Sequence, residues 1–306
     1  RIGYSENKIF FKHEQIKIFE LNFYANQHEY VLNEIENLSY FLLKEHEYYS
    51  VIKFNELARL SIEKIQLSKR DNLKHAKILI TTLFSYTQLH IFEAPGVKTG
   101  LKTLETILNL NHYDDRYTTI NLWYLWVQWY IDFYSGNIEQ SFQTISQAKD
   151  IISEGIFEEQ LCGQIYWSYG LSHKRLTTLQ EGIEDFKEGL LKYPNSILLK
   201  YAVDVHEAHQ FLRTDPLRTN KMCQILVALI ENTDCFYNEI IQVRVDIAMS
   251  AFYSGNYKNA FLEAQRDYDI AQANNISYQE GRSMNIMAAC HLMNGKIDEG
   301  YSCFKK

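Results

Sequence analysis

The chain has 306 residues, of which 46% are hydrophobic, so it is long enough to bury a large core. Its net charge of −7 argues against nucleic-acid binding by the segment as a whole, because such binding depends on neutralising phosphates with Lys and Arg. The most apolar stretch, residues 120–134, is too short to span a bilayer, so we expect no membrane segment.

The first 70 residues predict three helices, near residues 8–25, 28–46 and 49–67. The phrase Tyr24-Ala-Asn-Gln-His28 predicts a helix–helix turn between the first two. Two arrangements remain open, namely an extra repeat with a connecting helix or a separate three-helix bundle. We assign residues 1–70 to these N-terminal helices and residues 71–306 to a second domain.

From residue 72 onward, turns recur at intervals of about 40 residues, which is typical of an α-solenoid built from helix pairs. Two of them, Tyr134-Ser-Gly-Asn-Ile138 and Tyr253-Ser-Gly-Asn-Tyr257, are nearly the same phrase. The turns lie near Gly96, Gly136, Thr177, Pro216, Gly255 and Gly295. Predicted first helices of the pairs span residues 72–92, 116–135, 158–176, 196–212, 236–254 and 277–294. Predicted second helices span residues 97–110, 137–152, 179–192, 218–232, 256–273 and 296–306.

The segment 166–194 resembles a tetratricopeptide (TPR) repeat. It places the aromatic, small and proline residues of the family pattern at Tyr166, Gly170, His173, Gly182, Phe186, Gly189 and Pro194. In that pattern, small residues let two helices approach closely and large residues fill the space beside them. The match is weaker around Gly136, where Trp129 falls at a small position. The resemblance implies an all-α fold, a right-handed α-solenoid of about six TPR-like helix pairs preceded by about three helices.

A narrower resemblance concerns the peptide-sensing receptors of Gram-positive bacteria and their phages, the Rap, Rgg, NprR, PlcR and PrgX group. Repeats of this length, rich in Tyr, Asn and Ile, carry it, most clearly in residues 251–306. The resemblance implies a short signalling peptide bound on the concave face, quorum-sensing control of transcription and a possible homodimer. The first 70 residues show no helix-turn-helix. Because the chain begins at Arg1 without a methionine, we expect any DNA contact to come from a domain outside it.

In a TPR stack the first helices line the inner surface, which predicts where a ligand binds. Amides hydrogen-bond to an extended peptide, whereas aromatic residues and Arg are good anchors. The candidate ligand-binding residues are Trp126, Gln164, Trp167, His209, Arg213, Gln242, Arg282 and Asn285. Two other interpretations remain open: core packing for Trp126, and solvated surface for Gln242, Arg282 and Asn285.

The sequence offers no set of catalytic residues. His206 and His209 share a helix face in His-Glu-Ala-His, but no third metal ligand accompanies them. No phosphate-binding loop or nucleophile motif occurs, and the five cysteines form no CxxC pair, as is typical of free thiols in the cytoplasm. We therefore expect no enzyme activity, no cofactor and no metal.

Our leading hypothesis is the ligand-binding region of a cytoplasmic, peptide-responsive regulator. Two alternatives remain open. The chain is a TPR scaffold for a protein segment, or it is a Rap-like inhibitor whose first helices engage a response regulator, with Gln15 and Gln27 available for that role.

Overall fold

The computed structural model describes residues 15–44, 47–65, 71–230, 237–273 and 277–303. Side chains at positions 44, 229–230, 237–242 and 277–278 lie outside this description. Within the described ranges, all regular secondary structure is helical, which confirms the all-α prediction.

The helices follow one another with short connections. Residues 15–24 form α1, and the next helices are α2 (His28–Lys44), α3 (Tyr48–Lys64), α4 (Asn72–Gln88), α5 (Pro95–Leu110), α6 (Thr118–Tyr134) and α7 (Ile138–Glu154). They are followed by α8 (Glu159–Leu176), α9 (Leu179–Lys192), α10 (Ile197–Gln210), α11 (Pro216–Ile230), α12 (Tyr237–Tyr253), α13 (Tyr257–Ala273), α14 (Ser277–Met293) and α15 (Ile297–Cys303). The helices predicted from residue 72 onward are all present, and most of their ends lie within two residues of the predicted ones.

Several helices end at a residue in the left-handed backbone region, which lets the chain reverse within two or three residues. Asn256 N–H donates to the Ala251 carbonyl at 3.0 Å across Gly255, whose φ is +76°. The predicted turn near Asn26 has the same geometry, with φ +58° and a hydrogen bond from Gln27 N–H to the Asn22 carbonyl at 2.9 Å. The residues at these positions are Asn26, His90, Gly136, Gly255 and Gly295.

The prolines differ in their positions. Pro95 and Pro216 are the first residues of α5 and α11, where proline fits because an N–H in the first helical turn has no intrahelical partner. Pro194 lies between α9 and α10. Two of the three prolines therefore begin a helix instead of only ending the preceding one.

Packing divides the chain into two compact units, the described residues up to Ile131 and those from Asp132 onward. In the first unit, α2 and α3 pack on each other and both contact α4. In the second unit each helix packs against its neighbours in sequence, and α8 also contacts α10, as α12 contacts α14. The division predicted at residue 70 stays a prediction.

The TPR-like positions in the second unit pack as their residue types require. A Cβ atom at Gly189 would lie 2.8 Å from the Tyr166 side chain, and one at Gly182 would lie 2.8 Å from the Gly170 carbonyl oxygen. Close approach of α8 and α9 therefore depends on these glycines. Ala248, Ala260 and Ala264, at the equivalent positions around Gly255, have no exposed surface.

Candidate functional site

The predicted ligand-binding residues divide between the two units. Trp126 belongs to the first unit, where it is 1% exposed and packs against Phe84, Trp123, Trp129 and Tyr130. Its ring is part of the core of α4 and α6, so the packing interpretation describes Trp126 in this structure.

The other seven candidates lie in the second unit. Gln164 is buried, and Trp167 is half-buried against a cluster that includes Leu198 and Val205. His209, Arg213 and Asn285 are exposed, and Arg282 is half-buried. Gln242 lies in α12, but its side chain is outside the described residues.

The first helices of the second unit form one layer, made of α8, α10, α12 and α14. Helix α8 contacts α10, and α12 contacts α14. Between them, His209 Nδ1 of α10 lies 3.6 Å from Asp246 Oδ1 of α12. Side chains on the accessible side of this layer are thus neighbours in space. We call it the first-helix layer.

Lys174 and His206 are hydrogen-bonded across α8 and α10. The His206 Nδ1–H donates to the Ala202 carbonyl oxygen at 2.8 Å, so Nε2 carries a lone pair. Lys174 Nζ donates to that Nε2 at 2.9 Å. The pKa of His206 is lowered to about 3, mainly by burial and additionally by the Lys174 charge, so the imidazole is neutral at physiological pH.

Close helix packing fixes the position of this pair. A Cβ at Gly182 would lie 2.6 Å from Lys174 Cβ, so the backbone of α9 lies directly against α8 at Lys174. The Phe186 ring packs on the His206 ring with their centroids 4.9 Å apart. Gly182 and Phe186 of α9 therefore pack against Lys174 of α8 and His206 of α10, respectively.

The charge on Lys174 has little internal compensation. The pKa of Lys174 is lowered to about 8, mainly by burial; the Arg175 and Arg282 charges contribute to this decrease, and the Asp246 charge opposes it. Asp246 is 5% exposed and lies within ion-pair distance of His209. In the part of the chain that the structure describes, no carboxylate lies within ion-pair distance of the Lys174 ammonium.

A second polar group is enclosed between α13 and α14. Asp267 has no exposed surface, and neither of its carboxylate oxygens has a hydrogen-bond partner among the residues that the structure describes. Gln279 Oε1 and Ser283 Oγ are also buried, and within the described part of the chain they too have no hydrogen-bond partner. Burial raises the pKa of Asp267 to about 8, against the opposing charge of Arg244, so its carboxyl group is protonated at neutral pH.

The accessible side of the layer also presents aromatic rings. The Arg213 guanidinium carbon lies 5.8 Å from the centroid of the Tyr253 ring, and Tyr253 is 38% exposed. Arg175 of α8 lies 5.0 Å from the centroid of the Phe133 ring, which is a buried side chain of α6. Cations held near aromatic faces make rigid, amphipathic contact points for a ligand.

Metal binding finds no support among the residues described. No group of three or more His, Cys, Asp or Glu side chains is arranged to hold an ion there. Both ring nitrogens of His206 are engaged, with Ala202 and Lys174. Across the same residues, no helix combines the length and apolar character needed to cross a membrane.

Sequence reasoning missed Lys174, Asp246 and Asp267 and considered His206 only as a metal ligand. A signal for Asp267 was present, because Ala260, Ala264, Asp267 and Ala271 recur at helical spacing and place a carboxylate in a stripe of buried alanines. Lys174 follows Gly170 by one helical turn, but its direction toward α10 depends on tertiary packing.

The repeated helix pairs, glycine-dependent contacts and polar first-helix layer define the class of protein as a TPR-like α-solenoid, as predicted. No protein-family model and no curated protein matches the chain. The similarity therefore comes from solved structures.

One similar structure is a Rap protein complexed with competence and sporulation factor, with a TM-score of 0.63 and 11% identity over 91% of this chain and 75% of that one. Another is a signal transduction ATPase with numerous domains and a tetratricopeptide repeat sensor from Pyrococcus horikoshii. Its TM-score is 0.52, with 15% identity over 96% of this chain but only 46% of the ATPase. The apo quorum sensor NprR from B. thuringiensis gives a TM-score of 0.49, with 13% identity over 90% of this chain and 74% of that one. At these identities the similarity concerns the fold.

Proposed function

We propose that this chain is the ligand-binding region of a peptide-responsive regulator of the quorum-sensing transcriptional type, and that the peptide binds on the first-helix layer. The observation that carries the proposal is the Lys174–His206 pair, an ammonium on this layer with only a neutral internal partner. Natural proteins rarely keep such a charge in partly buried surroundings unless it has a function.

A short extended peptide fits the chemistry of the layer. Its backbone needs hydrogen-bonding groups, and its termini and side chains need charges and apolar anchors. The layer offers cations at Lys174 and Arg213 and the rings of Trp167 and Tyr253. The similarly folded Rap protein was solved with competence and sporulation factor, which supports a peptide as the ligand class.

Regulation would follow from differential binding. A ligand shifts an equilibrium only when it binds one conformation more tightly than the other. A peptide bridging α8, α10 and α12 would favour one relative orientation of these helices, and the change would alter the surface offered to an output partner or to a second copy of the chain.

The test is a thermal scan of the purified chain with and without a small-molecule extract of host culture. A ligand at 100 times its Kd adds about 2.7 kcal/mol to the free energy of unfolding, which raises the melting temperature measurably. We expect a shift that disappears when the extract is treated with protease. Arg213→Ala should reduce the shift, whereas Arg266→Ala on α13, outside the layer, should preserve it.

A second candidate function, a scaffold for a protein segment, is favoured by exposed aromatic residues in the first unit. Tyr24, Tyr40 and Tyr49 are 73%, 63% and 55% exposed, respectively. The candidate glutamines for a response-regulator contact lie in the same unit, with Gln27 exposed and Gln15 half-buried. If the culture extract gives no shift and Tyr24→Ser and Tyr40→Ser together abolish capture of a defined protein partner, the scaffold function replaces the peptide receptor.

A further inference from the structure

We infer that the Lys174 ammonium, positioned by the neutral imidazole of His206, is the anchor for a carboxylate of the bound peptide. This inference rests on the proposed function and specifies the chemistry of its site. The carboxylate belongs either to the C-terminus of the peptide or to an Asp or Glu side chain, and the experiment below distinguishes these sources.

The Lys174 ammonium can donate more hydrogen bonds than His206 accepts. It has three N–H donors, and one of them is used by His206 Nε2 at 2.9 Å. The described residues provide no other hydrogen-bond acceptor or ion-pair partner for Nζ. Two donors therefore remain for a ligand, and charge-assisted hydrogen bonds to a carboxylate are stronger than those between neutral groups.

His206 orients the ammonium of Lys174 without neutralising its charge. The bond from Nδ1–H to the Ala202 carbonyl at 2.8 Å fixes the tautomer, and the Phe186 ring fixes the plane of the imidazole. A carboxylate in place of the imidazole would cancel the charge of the ammonium. The neutral acceptor thus holds Lys174 in one orientation and leaves its charge available.

The charges that act on Lys174 are mostly positive. The positive charges of Arg175 on α8 and Arg282 on α14 lower the pKa of Lys174, whereas the negative charge of Asp246 on α12 raises it. The local field is therefore positive and favours an incoming anion, even though the whole chain carries a charge of −7.

The experiment compares three pentapeptide libraries on the full chain. The first has free C-termini and lacks Asp and Glu, the second has amidated C-termini and contains Asp and Glu, and the third is amidated and lacks both. Two quantities are measured: the melting temperature, and the rate of Lys174 acetylation by a succinimidyl ester, followed by mass spectrometry. Lys200, an exposed lysine on α10, is the internal reference.

We expect the first or the second library to slow acetylation of Lys174 at least tenfold and to raise the melting temperature, with no change at Lys200. The third library should do neither. Protection by the first library identifies a C-terminal carboxylate, and protection by the second identifies an acidic side chain. Inorganic phosphate is tested beside them, and protection by phosphate equal to that by the peptides would overturn carboxylate recognition.

Substitutions separate positioning from structure. Lys174→Met should weaken binding of the active library at least tenfold, whereas Lys200→Met should not. His206→Gln keeps an acceptor near the Nε2 position and should retain most of the affinity, whereas His206→Leu should lose it. A melting transition of each free variant checks that it is folded.

Failure of this inference differs from failure of the proposed function. If the third library binds as well as the others, or if Lys174→Met binds like the original chain, the carboxylate anchor is wrong and peptide binding stands. If no library changes either quantity, both the anchor and the peptide-receptor function are overturned.

Discussion

A Cβ atom at Gly170 would lie 2.5 Å from Cε1 of Phe186, so α8 and α9 approach each other at a distance that only glycine permits. We expect Gly170→Ala to lower the free energy of unfolding by about 1–3 kcal/mol, the usual cost of overpacking a core. Urea-induced unfolding measures the effect.

The matched control is Gly281→Ala in α14. A Cβ there would meet nothing within 4 Å, so the higher helix propensity of alanine should raise stability by about 0.5–1 kcal/mol. Equal effects of the two substitutions would show that helix packing at Gly170 does not depend on its missing side chain.

Most of the fold could be predicted from the sequence because it depends on local signals. Turn residues such as Gly255 and the repeat spacing fix where helices begin and end, and the TPR-like pattern fixes which helices pack. That Pro95 and Pro216 are the first residues of α5 and α11 was not predicted, because a proline before a helix and one inside its first turn differ by a single residue in sequence.

A buried asparagine joins three helices in the first unit. Asn55 of α3 is 1% exposed; it accepts from Ser39 Oγ of α2 at 2.7 Å and donates to Thr81 Oγ1 of α4 at 2.9 Å. We expect Asn55→Ala to cost about 2–3 kcal/mol, because it leaves buried polar partners unsatisfied. Thermal or urea unfolding measures this cost.

A double-mutant cycle tests the origin of the effect. Ser39→Ala should cost less in the Asn55→Ala background than in the original chain, since the hydrogen bond is already lost. Asn109→Ala, at an exposed position of α5, should change stability by less than about 0.5 kcal/mol. Additive effects of Asn55 and Ser39 would contradict the proposed coupling.

Asp267 should make stability depend on pH. An ordinary Asp carboxyl has a pKa of 3.8, whereas the pKa of Asp267 in the folded chain is about 8. Between these two pH values the folded state therefore holds one proton more than the unfolded state. Stability is therefore lost as pH rises through this window, by at most about 1.4 kcal/mol per pH unit. Asp267→Asn removes this titration.

We expect the stability advantage of Asp267→Asn to grow between pH 5 and pH 8 and to level off above pH 8. Chemical unfolding at a series of pH values provides the measurement. Asp269→Asn, an exposed position of the same helix, should show no such dependence. A difference between Asp267→Asn and the original chain that stays constant with pH would mean that Asp267 is ionised in the folded state.

Lys174 should have the opposite dependence. Its pKa is lowered from 10.5 to about 8, so the protonated group destabilises the unliganded fold at neutral pH and this cost disappears as pH rises from 8 toward 10.5. We expect Lys174→Met to be more stable than the original chain at pH 7, by at most about 3 kcal/mol. The advantage should shrink above pH 8.

Unfolding curves from pH 6 to pH 10 measure this trend, with Lys200→Met as the exposed control. A residue that weakens the free protein and strengthens ligand binding is expected at a functional site. If Lys174→Met is less stable at every pH, the ammonium contributes to folding and its charge is compensated in the free protein.

The candidate site was less predictable than the fold because it depends on which side chains meet. Arg213 and Asn285, two of the candidates predicted on the inner surface, are exposed in the structure, whereas Trp126 is buried between α4 and α6. Lys174 was overlooked because its charge suggests a solvated surface, and only the contact of α9 at Gly182 directs it toward His206.

The contacts of the second unit follow the order of the chain, each helix touching those that precede and follow it closely. A displacement of α8 is therefore passed along the stack, both through neighbours in sequence and through the direct contacts of α8 with α10 and of α12 with α14. Small tilts add in sequence instead of averaging out, so a few tenths of an ångström at Lys174 would become a larger displacement several helices away. A stack of helices with this connectivity needs no separate hinge for a change in one repeat to move a distant one.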